Sequence, residues 1–548
     1  MTARHAGPER PMTSASGLSR VIYTPAPLTS SQKTRRARTW AESEVVTRLV
    51  AARTRAVGRH RAYPLDAVAA GMMLHALGSP TAFTLAGVVR TLQSVSPSDR
   101  LELGFAPRSA IRYRTVLSGF HALEEALGVG FFVPHHHELT ADPQTWEVDQ
   151  CPDDCPFAPA SLDEVTTGLV QASIPSTWTP PSVVAIDGTD VESAYRGRTQ
   201  NAPNSEEKGA GSAPADRDAR WARRTGTDRR PTEMYFGYEA HIATYAPEPA
   251  GDPLPQLAAG LAMRPGLRDR AGAALGILDA LRQVREVLLD RGYTTARPEN
   301  LARPLRQRGI AVTMDLHTTQ RGVRPGPITG SLWIDGALYS DALPDPLRRL
   351  EPPKIGDTAT QKARARELFD KREAYRFTPL ARRRDENGSQ RWKGPALAGH
   401  LRCPNTPASM RLGRHLPTAR CLRGGKCACG KTVTVRDTEL ERDRQPLAWQ
   451  STRWALSFNR RSLIEGLNAQ LRYQVRNVNR GYFRVPGLVA TALLMAVTLA
   501  AHNIERLRGW HLARHQPDPW QVELGEEPAT EPLDRHTWTR GWRRPYRG

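Results

Sequence analysis

The sequence predicts an α/β protein built on a mixed β-sheet with helices on both faces. From residue 182, three strand-like runs follow one another, and helical and strand-like segments then alternate as far as residue 318. A meander followed by such alternation gives a sheet with antiparallel and parallel neighbours. A helical segment with leucines at every fourth position, residues 457–472, lies far downstream.

The strand predictions rest on short apolar runs that are broken by glycine or by an acidic residue. The five runs are SVVAIDGT (182–189), MYFGYEAHIATYA (234–246), QLAAGLAMR (256–264), REVLLDRGY (285–293) and GIAVTMDL (309–316). Helices are predicted at 274–284 and 298–307, between the third and fifth runs. This order of elements resembles that of the ribonuclease H fold, which implies that the first and fourth strands lie side by side and parallel.

In that arrangement, two aspartates would stand next to each other at the ends of neighbouring strands. Asp187 follows the first apolar run and Asp290 follows the fourth. Adjacent carboxylates repel each other unless they share a cation. Mg²⁺ prefers oxygen ligands, and two such ions about 3.5–4 Å apart can support displacement at phosphorus. The helix at 457–472 would bring Glu465 as a third carboxylate, between Arg461 and Arg472.

Three short motifs occur in a family-specific order. They are IDGT at 186–189, LLDRGY at 288–293, and F-x2-R-x3-E-x6-R at Phe458, Arg461, Glu465 and Arg472. With them the chain resembles bacterial insertion-sequence DDE transposases, in particular the branch with the signature Tyr-x2-Arg-x3-Glu-x6-Lys. Here Phe458 stands in place of the Tyr and Arg472 in place of the Lys. The resemblance covers about residues 180–510.

The resemblance implies a Mg²⁺-dependent enzyme, with Mn²⁺ as an alternative ion. It would cut DNA at the ends of the element and transfer the freed strand to target DNA. The implied catalytic and metal-binding residues are Asp187, Asp290 and Glu465. The implied DNA-binding residues are Phe458, Arg461 and Arg472. The implied partners are double-stranded DNA, both transposon ends and target, and a second copy of the chain in a synaptic dimer.

Two other functions are compatible with the same residues. A ribonuclease H-like nuclease without strand transfer would use the same three carboxylates. A basic DNA-binding protein without catalytic activity would carry them by accident. The long insertion and the helical N-terminal module favour the transposase.

Composition favours a polyanionic partner. Lys+Arg is 77 and Asp+Glu is 56, which gives a net charge of +21, and only eight of the 77 are lysines. Arginine binds phosphate through a planar fork, although the codon bias of a GC-rich genome would also enrich arginine. Six cysteines and the lack of an apolar leader predict a cytoplasmic protein rather than a secreted one. With DNA as the partner, the protein is expected to be associated with the nucleoid. Residues 485–501 are apolar, but Pro486 and the short length favour a buried core helix over a membrane span.

The chain divides into seven predicted parts. They are a disordered basic arm (1–38), a helical module (39–130), a linker (131–180), the first part of the core (181–318), an insertion domain (319–452), the final core helices with Glu465 (453–510) and a C-terminal tail (511–548). The helical module is interpreted either as a DNA-binding module or as a bundle used for packing or dimer contact.

The predicted insertion holds four cysteines spaced C-x17-C-x5-C-x-C: Cys403, Cys421, Cys427 and Cys429. Four thiols within 27 residues of a cytoplasmic protein predict a structural Zn²⁺ site. The alternative is a set of free buried thiols. His400 and His415 are candidate replacements for one of the cysteines, because a C-x-C pair strains a tetrahedral site.

Overall fold

The structure is a computed structural model. It describes residues 21–24, 27–54, 61–106, 109–131, 136–137, 144–145, 159–197, 214–224, 226, 231–354, 356–380, 388–527 and 534–537. The first 20 residues of the predicted arm and the last 11 residues of the predicted tail lie outside the described residues.

Fifteen α-helices are described in these ranges. They are α1 (Ser30–Ala41), α2 (Glu44–Ala51), α3 (Leu65–Leu77), α4 (Leu85–Ser94), α5 (Pro97–Glu102), α6 (Tyr113–Gly128), α7 (Leu162–Gln171), α8 (Arg270–Leu281), α9 (Arg291–Thr294), α10 (Ala302–Gln307), α11 (Ala359–Lys371), α12 (Thr452–Phe458), α13 (Ser462–Ala469), α14 (Leu488–Leu512) and α15 (Pro519–Glu523).

Sixteen strands are described in the same ranges. They are β1 (Val21–Thr24), β2 (His136–His137), β3 (Gln144–Thr145), β4 (Val183–Glu192), β5 (Arg220–Arg224), β6 (Glu233–Ala246), β7 (Ala258–Pro265), β8 (Glu286–Leu289), β9 (Ala311–Met314), β10 (Val323–Pro325), β11 (Ser331–Ile334), β12 (Ala337–Ser340), β13 (Thr378–Pro379), β14 (Gln390–Lys393), β15 (Thr432–Val435) and β16 (Asp534–Thr537).

The central sheet has six strands in the order β5-β6-β4-β8-β9, with β7 also paired to β6. Strand β6 is antiparallel to β4, β5 and β7, whereas β4, β8 and β9 run parallel. Helices α7, α8, α13 and α14 pack on this sheet. The predicted mixed α/β architecture is therefore confirmed, and so is the parallel pairing of the first and fourth predicted strands. Strand β5 was not predicted, since its sequence, RWARR, has no apolar run.

The helical module and the sheet share one hydrophobic core. A single cluster of buried side chains runs from Trp40 in α1, through α3 and α6, to the sheet, α14 and Trp520. Helix α3 is buried along its length and contacts α1 and α14. The shared core favours packing as the role of residues 39–130, and DNA binding by them stays a prediction.

Three predicted boundaries need correction. Residues 30–38 were expected to be disordered, but they belong to α1, which Thr29 caps through the amide of Gln32. The predicted linker contains α7, whose Thr166 hydroxyl donates to the Leu261 carbonyl of β7. The predicted tail contains α15, whose Trp520 is buried in the main core. In each case long-range packing orders a segment with weak local periodicity.

Helix α14 is the apolar run that raised the question of a membrane. It is the one helix in the described part of the chain that is long and apolar enough to span a bilayer, and 83% of its most apolar window is buried within the protein. Asn503, on this helix, is buried, and its amide donates to the Ala258 carbonyl and accepts from the Ala258 amide. The prediction of a core helix is confirmed.

The insertion has hydrophobic clusters of its own. One cluster gathers Ile334, Tyr339 and Leu401 around the cysteines, and a second joins Trp333 to Trp392 across two three-stranded sheets. These clusters are separate from the main core, to which Phe369 and Trp449 of the insertion also belong.

A buried ion pair fastens the two ends of the described chain together. Arg36 in α1 donates to Asp518 at the start of α15 across 2.6 Å, and both side chains are fully buried. Replacing Asp518 by Ala leaves Glu526, at 3.5 Å, as the remaining described carboxylate partner of the buried guanidinium. We therefore expect Asp518→Ala to destabilise the protein by about 1.5–3 kcal/mol, the loss of a charged hydrogen bond. Urea unfolding followed by tryptophan fluorescence measures the effect.

The matched control is Asp279→Ala, which breaks a half-exposed pair between Asp279 and Arg308. That pair should contribute at most about 1 kcal/mol, because solvent screens it. Equal losses in the two variants would contradict the importance assigned to the buried pair.

Candidate active site

The parallel pairing of β4 and β8 brings two aspartates together. Ile186 pairs with Leu289, so Asp187 and Asp290 are the next residues on two strands that lie about 4.8 Å apart. Asp290 follows the last residue of β8 and caps α9, since its carboxylate accepts a hydrogen bond from the Arg291 amide at 2.6 Å.

The first strand does not end at Asp187, as the sequence had suggested. It continues to Glu192 because the long strand β6 still pairs with it, with Glu192 opposite Gly237. Strand β8 stops at Leu289, and Asp187 therefore lies where β4 loses its parallel neighbour. Its carboxylate is partly open to solvent, with 23% of the side chain exposed.

Glu465 reaches the same region on α13. Ile464 and Leu467 on that helix are buried, and the helix packs on β4 and β6. The Glu465 side chain is 57% exposed, and its carboxylate lies 2.5 Å from Nη2 of Arg461. Nη1 of Arg461 lies 3.8 Å from Asp187. One guanidinium therefore links two of the three predicted carboxylates.

The charge on Asp187 is destabilised by its surroundings. The pKa of Asp187 is raised to about 6. Burial is the largest cause and the nearby carboxylates of Asp290 and Glu465 add to it, whereas Arg461 and the Gly188 amide oppose it. The pKa therefore reports that the three carboxylates are near enough to interact. Such a site gains from a cation that relieves their repulsion.

Behind Asp187 lies a buried polar group that the sequence analysis missed. The Tyr293 hydroxyl and Nδ1 of His241 are 2.7 Å apart, and Nε2 of His241 is 3.4 Å from Glu239. Burial lowers the pKa of His241 to about 3, so the imidazole is neutral. Arg270 holds Glu239 with two hydrogen bonds of 3.0 and 2.6 Å. The sequence did contain a signal for this group: Glu239 and His241 are polar and stand two positions apart in the mostly apolar strand β6.

The predicted helix at 457–472, which carries Phe458, Arg461, Glu465 and Arg472 and which we call the signature helix, is less regular than predicted. After α12 it tightens into a 3₁₀ turn at Asn459–Arg461, and after α13 it widens into a π turn at Gln470–Gln474. Phe458 stacks on Trp454 with ring centroids 4.7 Å apart, and the Arg461 guanidinium lies 5.5 Å from the Phe458 ring. Phe458 therefore positions Arg461, and DNA contact by either residue stays a prediction.

Arg472 is buried in the π turn rather than presented at the surface. It donates to Thr189 at 2.8 and 3.0 Å and lies 3.0 Å from the Asp190 carboxylate. These bonds fasten the π turn to the strand that carries Asp187. The described bonds of Arg472 are to the protein, so its expected phosphate contact would require that some of them open.

The donor set at this edge fits divalent cations. Asp187, Asp290 and Glu465 supply hard oxygen ligands, and their mutual repulsion favours bound positive charge. Their oxygens are not gathered into one tight cage, because among the described residues only the four cysteines have all donor atoms within 4.8 Å. An open arrangement suits ions that keep several water ligands.

The cysteine cluster has the dimensions of a zinc site. The sulfurs of Cys403 and Cys427 are 3.7 Å apart, and those of Cys421 and Cys429 are 3.8 Å apart. A tetrahedral site with Zn–S bonds of about 2.3 Å has sulfurs about 3.8 Å apart, whereas a disulfide requires about 2.05 Å. The four thiols can therefore hold a metal such as zinc. Neither His400 nor His415, the two candidate replacements, belongs to the group.

Two of the four thiols, those of Cys421 and Cys429, are poorly suited to ionise without a cation. For Cys427, burial is outweighed by hydrogen bonds from Asn405 and the Cys429 amide, which lower the pKa of the thiol. Burial, followed by the neighbouring thiols, raises the pKa of Cys421 to about 12, and burial also raises the pKa of Cys429. A bound metal reverses this effect by stabilising thiolates.

Comparisons of the chain with protein-family models, with curated proteins and with solved structures find no match.

Elemental analysis of the purified protein should find one zinc ion per chain. Cys429→Ser should lose that zinc, because a hydroxyl is a poor replacement for a thiolate in such a site. Cys151→Ser, which changes a cysteine outside the described residues, should keep it. Substoichiometric zinc in the wild-type protein would favour the alternative of free buried thiols.

Asp187→Asn should stabilise the protein at neutral pH in buffer without added divalent cations. The native pKa is raised from 3.8 to about 6, so above pH 6 the charged carboxylate costs about 3 kcal/mol. Below about pH 4 the group is protonated in both folded and unfolded states, and the gain should vanish. Thermal unfolding across this range measures it, and a gain independent of pH would contradict the assigned cause.

Proposed function

We propose that the protein is an insertion-sequence DNA transposase that cuts and joins phosphodiester bonds with Asp187, Asp290 and Glu465. The observation that carries the proposal is the meeting of these carboxylates. Asp187 and Asp290 are neighbours across β4 and β8, and Arg461 links Asp187 to Glu465. The three residues come from segments separated by 103 and 175 positions.

The order of strands supports a ribonuclease H-like core as part of the proposal. Numbered along the chain from β4, and leaving out the short β5, the sheet reads 3-2-1-4-5, with only the second strand antiparallel to its neighbours. The insertion then separates the fifth strand from the helix that carries Glu465. Ligands of open sheets gather at the carboxyl ends of the parallel strands. Asp290 follows the end of β8, and Asp187 lies beside it, where β4 loses its parallel neighbour.

Two Mg²⁺ ions, with Mn²⁺ as the alternative, would be held by Asp187, Asp290 and Glu465 and would supply activation of the attacking oxygen and stabilisation of the leaving oxygen. The protein's own part is to hold these carboxylates in place. Gly188 donates its amide to Asp187 at 2.9 Å, and Arg291 donates its amide to Asp290.

Arg461 has two roles in this proposal. Without DNA, its positive charge offsets part of the repulsion between Asp187 and Glu465. With DNA present, a guanidinium at this position can bind a phosphate oxygen near the carboxylates. The stacked pair of Phe458 and Trp454 keeps the Arg461 segment in place.

The proposed partners are double-stranded DNA, as element end and as target, and a second copy of the chain that holds the other end. The net charge of +21 supports a polyanionic partner. Association with the nucleoid follows from the same charge and is part of the proposal.

The test uses duplex DNA from the regions that flank the gene, with Mg²⁺, and follows cleavage and strand joining on gels. We expect Asp187→Asn, Asp290→Asn and Glu465→Gln each to lower cleavage at least about 100-fold. DNA binding, measured by fluorescence anisotropy, should remain, because these side chains contribute no positive charge.

The matched control is Asp345→Asn, an 86% exposed acid in the insertion, which should cleave like the wild type. Equal cleavage by the wild type and the three site variants would reject the assigned site. Cleavage without joined products would favour the nuclease, and binding without cleavage would favour the non-catalytic DNA-binding protein.

A further inference from the structure

Between Cys421 and Cys427, the chain forms an exposed loop with an unusual composition. We call residues 422–426 (Leu-Arg-Gly-Gly-Lys) the cysteine tip. All five residues are exposed, and Leu422 is 82% exposed, more than any other large hydrophobic residue of the described chain. Exposing a leucine to this extent contributes nothing to the packing of the protein.

The cysteine tip is held in one conformation by a single side chain. Nδ2 of Asn405 donates to the carbonyls of Leu422 and Gly425 at 2.9 and 3.1 Å, and its Oδ1 accepts from the Gly424 amide at 2.9 Å. Gly424 has φ of 76°, which glycine adopts without strain. The loop is therefore preformed, and Leu422 projects from a fixed backbone.

The charge around the cysteine tip has one sign. Within it, Arg423 and Lys426 are both exposed. Between Glu386 and Asp437 the sequence has ten Lys and Arg residues and no Asp or Glu. Leu422 is thus a rigidly held apolar side chain between cations, with no acid nearby in sequence. It is complementary to a partner whose phosphates surround an apolar interior.

We propose that the cysteine tip binds duplex DNA, with Leu422 as a wedge that enters the minor groove at a base step and with Arg423 and Lys426 on the flanking phosphates. An apolar side chain can partly unstack a flexible step and bend the duplex, and phosphate contacts offset the cost. This inference rests on the proposed function, because it takes DNA as the partner.

An anionic membrane is the other surface that would accept an apolar residue between cations. A single leucine buries too little apolar area to hold a protein of 548 residues on a bilayer, where even a myristoyl chain binds only marginally. The same leucine is large enough to separate two stacked base pairs. The chain also carries carboxylates arranged for phosphodiester chemistry, and these give DNA the preference.

The experiment uses the full chain with zinc in the buffer and a duplex of about 30 base pairs that has 2-aminopurine beside a central TA step. Anisotropy gives affinity and its salt dependence, and 2-aminopurine emission reports unstacking. We expect Leu422→Ala to abolish the emission increase and to weaken binding roughly tenfold at unchanged salt slope. Arg423→Gln combined with Lys426→Gln should reduce the salt slope by about 1.8, since each phosphate contact contributes about 0.9.

Two controls separate the cysteine tip from general surface effects. Leu397→Ala removes another exposed leucine of the insertion, and Arg364→Gln removes an exposed arginine of α11. Both should match the wild type in emission, and Leu397→Ala should match it in salt slope as well. A loss of emission in Leu397→Ala equal to that in Leu422→Ala would overturn the inference.

The remaining outcomes are also decisive. A wild-type protein that fails to bind duplex DNA would remove both the proposed function and this inference. A protein that binds and cleaves DNA, with tip variants equal to the wild type, would overturn the inference alone. Loss of binding to phosphatidylserine vesicles in Leu422→Ala, with DNA binding unchanged, would assign the cysteine tip to a membrane surface instead.

Discussion

Two carboxylates on neighbouring parallel strands repel each other, and the arrangement of the candidate site follows from how that repulsion is offset. Asp187 and Asp290 are brought together by backbone pairing, which neither side chain can avoid. Arg461 supplies the nearest positive charge, and it does so while also pairing with Glu465. The signature helix must therefore approach the sheet closely enough to place one guanidinium between acids from two elements.

That approach explains the irregular helix. A regular α-helix from α12 to the π turn would keep a constant 100° step between residues. The chain instead tightens at Asn459–Arg461 and widens at Gln470–Gln474, and each change lies beside an arginine with a fixed partner. Arg472 in the π turn is tied to Thr189, only two residues from Asp187. Short stretches of 3₁₀ and π geometry often occur where a side chain must meet a constraint outside its helix.

The parts of the fold that the sequence predicted are those with a local signal. The apolar runs of β4 and β8 have the length and branching of buried strands, and each is followed directly by an aspartate. The missed parts depend on partners far away in sequence. The residues of α1 read as a basic arm because Arg36 is charged, and its partner Asp518 lies 482 positions later. No window of local sequence contains that pairing, and the same holds for Trp520.

The candidate site was predictable to the same extent. The sequence proposed all three carboxylates because a strand end or a helix face marked each of them, and the structure adds that Arg461 joins two of them. It did not propose Tyr293 or His241, although Tyr293 belongs to the LLDRGY motif itself. Their place behind Asp187 depends on the pairing of β6 with β4, which puts His241 opposite Gly188.

The C-x-C pair of the cysteine cluster has a simple structural explanation. The chain bends at Ala428 and turns at Cys429, and the residue between the two cysteines packs in a different cluster from theirs. Cys427 and Cys429 both belong to the cluster around Tyr339, whereas Ala428 packs with Trp392 in the neighbouring cluster. The sulfurs of Cys427 and Cys429 lie within 4.8 Å of each other and of the other two, so the C-x-C pair reaches one shared site. The same three residues join the two hydrophobic clusters of the insertion.

The positive charges of the chain are unevenly distributed, and some of them are neutralised inside the protein. Three arginines are buried and paired with carboxylates, which neutralise most of their charge within the protein: Arg36, Arg372 and Arg476. The 50 residues between Glu386 and Asp437 carry ten positive charges and no negative one, out of a net +21 for 548 residues. Nearly half of the excess charge thus lies in the lobe around the cysteines, away from the carboxylates of the central sheet. The carboxylates of the sheet alone would repel a polyanion. A polyanion that contacted both regions would be bound by the positive lobe, and this attraction would offset the repulsion as its phosphates approached the carboxylates.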